Sequence, residues 1–186
     1  IGVDQSPEML AQAMAKQPEE GEPVLYLCQD LCRLDLYGTV EAAVCALDSV
    51  NHFTDPQALR QAFGRIALFL EPGGVFAFDF NTPYKHRVLL GEEVYVYDTD
   101  GVYCVWQNHL QQDGVTVVMD LDFFIPQQKG LYRRESQQIV ERAYTVEELE
   151  RLAVDCGLQI AAVYGEDSFS PLQPEDARGV MVLLKK

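Results

Sequence analysis

Short apolar runs, each closed by an acid or amide and separated by a helix signal, limit what this chain can fold into. Val24–Cys28 is closed by Gln29-Asp30, Ala42–Leu47 by Asp48, and Val75–Phe80 runs into Asn81. Runs of this length without polar alternation are strands covered on both faces. Between them stand helix starts. Ser6-Pro7-Glu8 offers a capping hydroxyl, a preset φ and an acid where a helix leaves its first N–H groups free. Met9, Leu10, Ala13 and Met14 then recur at helical spacing, and residues 19–23 read as a loop. Asp55-Pro56 opens a second helix with Leu59, Phe63, Ile66 and Leu70 on one face, stopped by Glu71-Pro72-Gly73-Gly74. Buried strands alternating with helices define the α/β class, here a doubly wound, mostly parallel Rossmann-like sheet with right-handed crossovers.

From Asn81 the pattern changes. Glu93–Asp98, Val102–Leu110, Val115–Ile125 and Arg133–Tyr144 read as strands separated by Asp100-Gly101, Asp113-Gly114 and Lys129-Gly130, which is an antiparallel meander. Its aromatic residues, Tyr95, Tyr97, Tyr103, Trp106, Phe123, Phe124 and Tyr132, are expected to pack with one another rather than to cage a substrate. The α/β pattern resumes at the capping box Thr145-Val-Glu-Glu148, whose helix turns Leu149, Leu152 and Ala153 inward. Cys156-Gly157 ends it, and strands follow at Leu158–Tyr164 and Val180–Leu184. Residues 1–81 and 142–186 are therefore expected to form one α/β domain, with 82–141 an antiparallel β insertion.

Composition removes several functions. Twenty-nine Asp and Glu against 14 Lys and Arg leave a net charge of −15, the wrong sign for a nucleic-acid backbone or an anionic membrane surface. No apolar stretch approaches the length of a membrane span. The five cysteines include no CxxC pair, and Cys28 and Cys32 lack a second pair to complete a metal site. They read as reduced, packed thiols of a cytoplasmic protein, with no metal.

Ligands of open α/β sheets bind beyond the carboxyl ends of the strands. Asp4, Asp30, Asp48 and the Asp79–Asn81 segment all sit at such ends. One carboxylate there suits the paired hydroxyls of a ribose. A second, on the next strand, suits an exocyclic adenine amine, whereas a phosphate would ask for glycine N–H groups and cations.

These residues resemble class I S-adenosylmethionine-dependent methyltransferases. The resemblance rests on Gly2-Val-Asp4-x-Ser6-x-x-Met9-Leu10, Gln29-Asp30-Leu31, Ala46-Leu47-Asp48-Ser49-Val-Asn51-His52, Leu70-x-Pro72-Gly73-Gly74-x-Phe76-x-Phe78-Asp79, and the tail from Tyr144-Thr-x-Glu-Glu148-Leu149 through Cys156-Gly157-Leu158 to the last strand. Each motif is weak alone; the ordered set is specific. The resemblance implies a seven-stranded sheet whose last pair is antiparallel, and S-adenosylmethionine as cofactor. It implies Asp4 on the ribose, Gln5 near the adenine, Asp30 and Leu31 on the adenine edge, and Leu47 and Asp48 beside the methionine part. Asn51 and His52 would face the transferring methyl. Small-molecule members place an antiparallel sheet over the substrate at the position of this insertion. The family's glycine-rich turn after the first strand has no counterpart, since Ile1 already lies at a strand end. The chain is thus expected to be a fragment lacking an N-terminal strand and helix, with poor cofactor affinity.

The expected reaction is methyl transfer to an N or O nucleophile of a small molecule by a monomer or homodimer. His52 is the candidate base, in competition with a structural role at its junction. Tyr84 and Arg178 are candidate substrate contacts, while His86 and His109 read as surface or lid residues. The alternative is a non-catalytic S-adenosylmethionine-binding or regulatory module. A nicotinamide oxidoreductase is disfavoured, because no Tyr-x-x-x-Lys pair is present.

Overall fold

The computed structural model describes residues 1–17, 21–165 and 169–186; residues 19 and 20 of the expected 19–23 loop lie outside them. The chain runs through β1 (Gly2–Asp4), α1 (Pro7–Ala15), β2 (Tyr26–Cys28), β3 (Val40–Cys45), α2 (Pro56–Phe69) and β4 (Leu70–Asn81). A π-helical turn, Lys85–Leu90, leads into β5 (Val94–Thr99), β6 (Val102–Leu110), β7 (Thr116–Pro126) and β8 (Tyr132–Arg142). Helix α3 (Val146–Val154), β9 (Leu158–Gly165) and β10 (Arg178–Lys185) complete it.

The expected helix starts are present. Ser6 Oγ accepts from Met9 N at 3.2 Å and Asp55 Oδ1 from Gln57 N at 3.0 Å. Thr145 and Glu148 cap one another's backbone reciprocally. Caps of this kind each stabilise a helix by about 1 kcal/mol. The α2 stripe lands as spaced, with Leu59, Phe63, Ile66 and Leu70 buried. Phe63 packs edge-on to Phe76, ring centroids 5.7 Å apart, and tilts against Phe78 at 5.4 Å. Leu149, Leu158, Met181 and Leu183 close the same core. Gly74 is required where α2 turns back into β4. A β-carbon there would lie 2.8 Å from the Glu71 carbonyl oxygen and 3.0 Å from that of Glu41.

Strand pairing departs from one seven-stranded sheet. Among the described residues, β1 pairs only with β2, in parallel. A second sheet has the order β3-β4-β10-β9, with β3 parallel to β4 and β10 antiparallel to both neighbours. Strands β1 and β3 are therefore both edge strands, and Val3 and Val44 stand 38% and 78% exposed. Helix α1 packs chiefly on the narrow β1–β2 pair. Of its expected apolar stripe only Leu10 is buried, with Met9 and Met14 each 60% exposed, because two strands give a helix little surface to cover.

Strands β5 to β8 form their own antiparallel sheet in sequence order. Leu90, Val117 and Met119 make its core, with Tyr95 and Trp106 against them in edge contact at 5.6 Å. These two aromatics pack, as their sequence context implies. The cysteines differ from expectation: all five are free thiols, but only Cys104 is buried and Cys28 is exposed. No helix among the described residues is long and apolar enough to cross a membrane.

Candidate active site

A cleft of about 990 Å³ opens between the end of β1 and the length of β3. Six of the ten residues singled out in the sequence line it: Asp4, Gln5, Asp30, Leu31, Leu47 and His52. The β1–β2 pairing brings the two carboxylates together, since Gln29 N donates to Asp4 O at 3.0 Å just beyond the last strand pair. Asp4 Oδ1 accepts from Ser6 N at 2.8 Å, and Asp30 Oδ1 accepts from Cys32 N at 2.9 Å. The Asp30 carboxylate also lies against the Cys32 thiol, and among the described residues no protein group bonds the second oxygen of Asp4. Two carboxylates on neighbouring strand ends above an apolar wall fit an adenosine whose hydroxyls and amine donate.

The wall at Leu47 is made by an unusual turn. Leu47 and Asp48 have φ of 59° and 49°, left-handed positions that cost non-glycine residues on the order of 1–3 kcal/mol each. The turn is held by its partners. Asp48 N donates to both carboxylate oxygens of Asp79 at 3.2 Å. The Arg178 guanidinium donates to Asp79 Oδ2 at 2.5 Å and to Asp48 Oδ2 at 3.3 Å. Leu47 is thereby left 76% exposed in the cleft.

The other four residues lie elsewhere. Asp48 faces Arg178 and Asn81 rather than the cleft. Arg178, expected to meet substrate, is occupied by the protein's own carboxylates, and its Nε is buried without a partner among the described residues. Tyr84 is partly buried at the start of the π-helical turn and does not line the cleft. Asn51 was expected beside the methyl, yet it is fully buried with its amide spent. Its Nδ2 donates to Asn81 O at 3.1 Å and Arg142 O at 2.9 Å, and its Oδ1 accepts from Asn81 N at 2.8 Å. The 3₁₀ turn Ser49–His52 explains the contrast with its neighbour: three residues per turn send successive side chains about 120° apart. Asn51 goes inward, and His52, 51% exposed, goes to the cleft.

Two residues of this neighbourhood escaped the sequence reading. His86, expected as a surface or lid residue, is completely buried, and Glu141 on β8 is 7% exposed. Glu141 Oε2 accepts from Asn81 Nδ2 at 3.0 Å and lies 3.7 Å from His86 Nε2, while Oε1 lies 3.9 Å from His52 Nε2. Burial works to raise the Glu141 pKa. The adjacent His86 and His52 imidazoles and the Asn81 amide outweigh it, so the carboxyl is held below its ordinary range and stays ionised. His109 does remain at the surface, between Glu92 and Asp120.

Comparison with known proteins shows the family. The methyltransferase domain family matches residues 1–74. A solved S-adenosylmethionine-dependent methyltransferase from Clostridium acetobutylicum ATCC 824 is 31% identical with a TM-score of 0.89, over 98% of this chain and 73% of its own. "Putative methyltransferase YqeM" of Bacillus subtilis (strain 168) is 26% identical over 174 residues, 93% of this chain and 69% of the relative. CalS10, an amino pentose methyltransferase from Micromonospora echinaspora solved with S-adenosylmethionine bound, shares the fold at 24% identity and a TM-score of 0.75. The overlap is 100% of this chain and 73% of that one.

Proposed function

The chain belongs to the S-adenosylmethionine-dependent methyltransferases, and on that premise we propose that it methylates a nitrogen or oxygen nucleophile of a small molecule. The observation that carries this reading is the position of His52. It stands half exposed in the wall of the same cleft that Asp4 and Asp30 line.

When bound, S-adenosylmethionine supplies a methyl carbon on a positively charged sulfur, already activated for in-line displacement. The protein then has to hold, align and dry the reactants. Asp4 accepts from the ribose hydroxyls, Asp30 with Leu31 receives the adenine edge beside Gln5, and Leu47 gives an apolar wall. The acceptor sits between the cleft and the β5–β8 sheet. His52 takes the proton that the nucleophile loses, a service worth most to a hydroxyl and least to a neutral amine. The amino pentose named for CalS10 makes amino sugars the first acceptor class to test, and the net charge of −15 suits cationic or neutral molecules.

The test is calorimetry with S-adenosylmethionine and S-adenosylhomocysteine. Mass spectrometry follows, on small-molecule extracts incubated with the protein and methyl-deuterated S-adenosylmethionine. A labelled amine or alcohol supports the proposal. Cofactor binding with no labelled small molecule across amine, hydroxyl and carboxyl panels would establish a non-catalytic module instead.

A further inference from the structure

We propose that Glu141 is the positioning residue of His52: its buried carboxylate keeps the imidazole Nε2–H turned inward, which leaves Nδ1 as the nitrogen that takes the acceptor's proton. The inference rests on the reading of His52 as base, and it adds a part to the site that belongs to the inserted sheet.

Glu141 does not line the cleft, so it acts on the reaction only through a neighbour. Its place is fixed by the register of β8 on β7, which pairs Glu141 with Val117. Two imidazoles flank it. That of His86 is sealed from solvent, with Nδ1 at 2.7 Å from the carbonyl oxygen of Val115. A carbonyl only accepts, so His86 Nδ1 carries the hydrogen. Among the described residues its Nε2 has no hydrogen-bond partner, and it faces Glu141 Oε2 at 3.7 Å. The imidazole of His52, in contrast, reaches the cleft and directs Nε2 at Glu141 Oε1 from 3.9 Å. The field of an ionised carboxylate at that distance favours the tautomer whose N–H points toward it.

The charged groups around this carboxylate are few, and they are already engaged. Lys85 Nζ donates to Asn81 Oδ1 at 2.9 Å. Asp48 shares Asn81 Nδ2 with Glu141 and is itself paired with Arg178. Arg142, next on β8, turns to Glu148 at 2.7 Å. The cation formed on His52 therefore meets a carboxylate with no cation of its own in hydrogen-bond contact among the described residues. In the transfer, the acceptor's lone pair forms the new bond to methyl as the methyl–sulfur bond breaks with its electrons going to sulfur. The proton released by the acceptor goes to His52 Nδ1, and Nε2–H stays directed at Glu141.

The test needs no acceptor. The chain has three histidines, so ¹⁵N-histidine NMR above the histidine titration range reads each tautomer, with His52→Gln identifying its own signals. In the unsubstituted protein His52 is expected as the Nε2–H form and His86 with a hydrogen on Nδ1. In Glu141→Gln the amide oxygen is claimed by Asn81 Nδ2, so the new NH₂ faces His52. The majority tautomer of His52 should then invert to Nδ1–H, while His86 keeps its signature as the control for folding. Calorimetry of the same variant should give a cofactor Kd within about twofold, since Glu141 is outside the cleft. The same His52 tautomer in both proteins overturns the inference, and so does a loss of cofactor affinity without inversion, which would make Glu141 a structural group. The base reading fails on a different result: undiminished methyl transfer by His52→Gln with an acceptor found by labelling.

Discussion

Replacing Asn51 separates the catalytic place expected for it from the structural place it occupies. One buried amide makes three hydrogen bonds: two donated, to the carbonyls of Asn81 and Arg142, and one accepted from Asn81 N. At about 0.5–1.5 kcal/mol each, they sum to roughly 1.5–4.5 kcal/mol. Asn51→Ala should lose that range in urea unfolding followed by far-UV circular dichroism, with cofactor affinity nearly unchanged. Asn51→Asp is the sharper variant because its shape is the same. It sets a carboxylate oxygen where Nδ2 stood, against two carbonyl oxygens, and so disfavours the ionised form. The folded pKa of the new acid must rise above its unfolded value of about 3.9. Its destabilisation is then small below about pH 4 and grows as pH rises from there toward the folded pKa. Midpoints measured from pH 3.5 to 8, each relative to the unsubstituted protein, read this out. A loss under about 1 kcal/mol for Asn51→Ala, or a pH-independent penalty for Asn51→Asp, would refute the clamp.

Other expectations follow from the same contacts. Asp4→Ala should weaken S-adenosylmethionine binding roughly ten- to a hundredfold by calorimetry, through loss of charge-assisted bonds; unchanged affinity would remove Asp4 from the ribose. Burial pushes the Tyr144 phenol, whose hydroxyl donates to the Phe53 carbonyl, up to about 12. A raised pKa makes the neutral phenol's contribution complete below about pH 10, the ordinary tyrosine value. It is lost as pH climbs through about 12, so Tyr144→Phe should show a flatter stability profile over that window than the unsubstituted protein. Arg178→Met leaves Asp48 and Asp79 facing one another without their cation. It should cost about 3 kcal/mol of stability, and a loss below about 1 kcal/mol would show that the left-handed turn holds itself.

What the sequence made legible is local. Ser6, Asp55 and the Thr145–Glu148 box announce helix starts because a cap is satisfied within three residues, and the α2 stripe is a matter of period. Asp4 and Asp30 were legible as cleft residues because each closes an apolar run, and Leu47 through the family resemblance. The polar centre behind them was not. Glu141 sits in a strand that reads Glu-Ser-Gln-Gln-Ile-Val before it and Arg after it, with nothing to mark one acid as buried. Its burial comes from the β7–β8 register and from His86, 55 positions earlier in the chain. Asn51 and His52 are adjacent letters with opposite fates, decided by the phase of a single 3₁₀ turn. The α1 stripe failed for a related reason: periodicity predicts which face is apolar, and the width of the sheet beneath decides how much of it is covered.

The two carbonyls held by Asn51 belong to residues 81 and 142, where the chain leaves the α/β framework and where it returns. Sixty residues of inserted sheet thus begin and end at one side chain. An insertion with coincident ends asks little of its host, since its length and content can change without moving the strands on either side. If the β5–β8 sheet covers the acceptor as proposed, the same framework presents a different roof to a different acceptor while Asp4, Asp30 and Leu47 stay where they are. Variation in what such proteins methylate should then concentrate between these two positions, and the residue that fastens them should resist it.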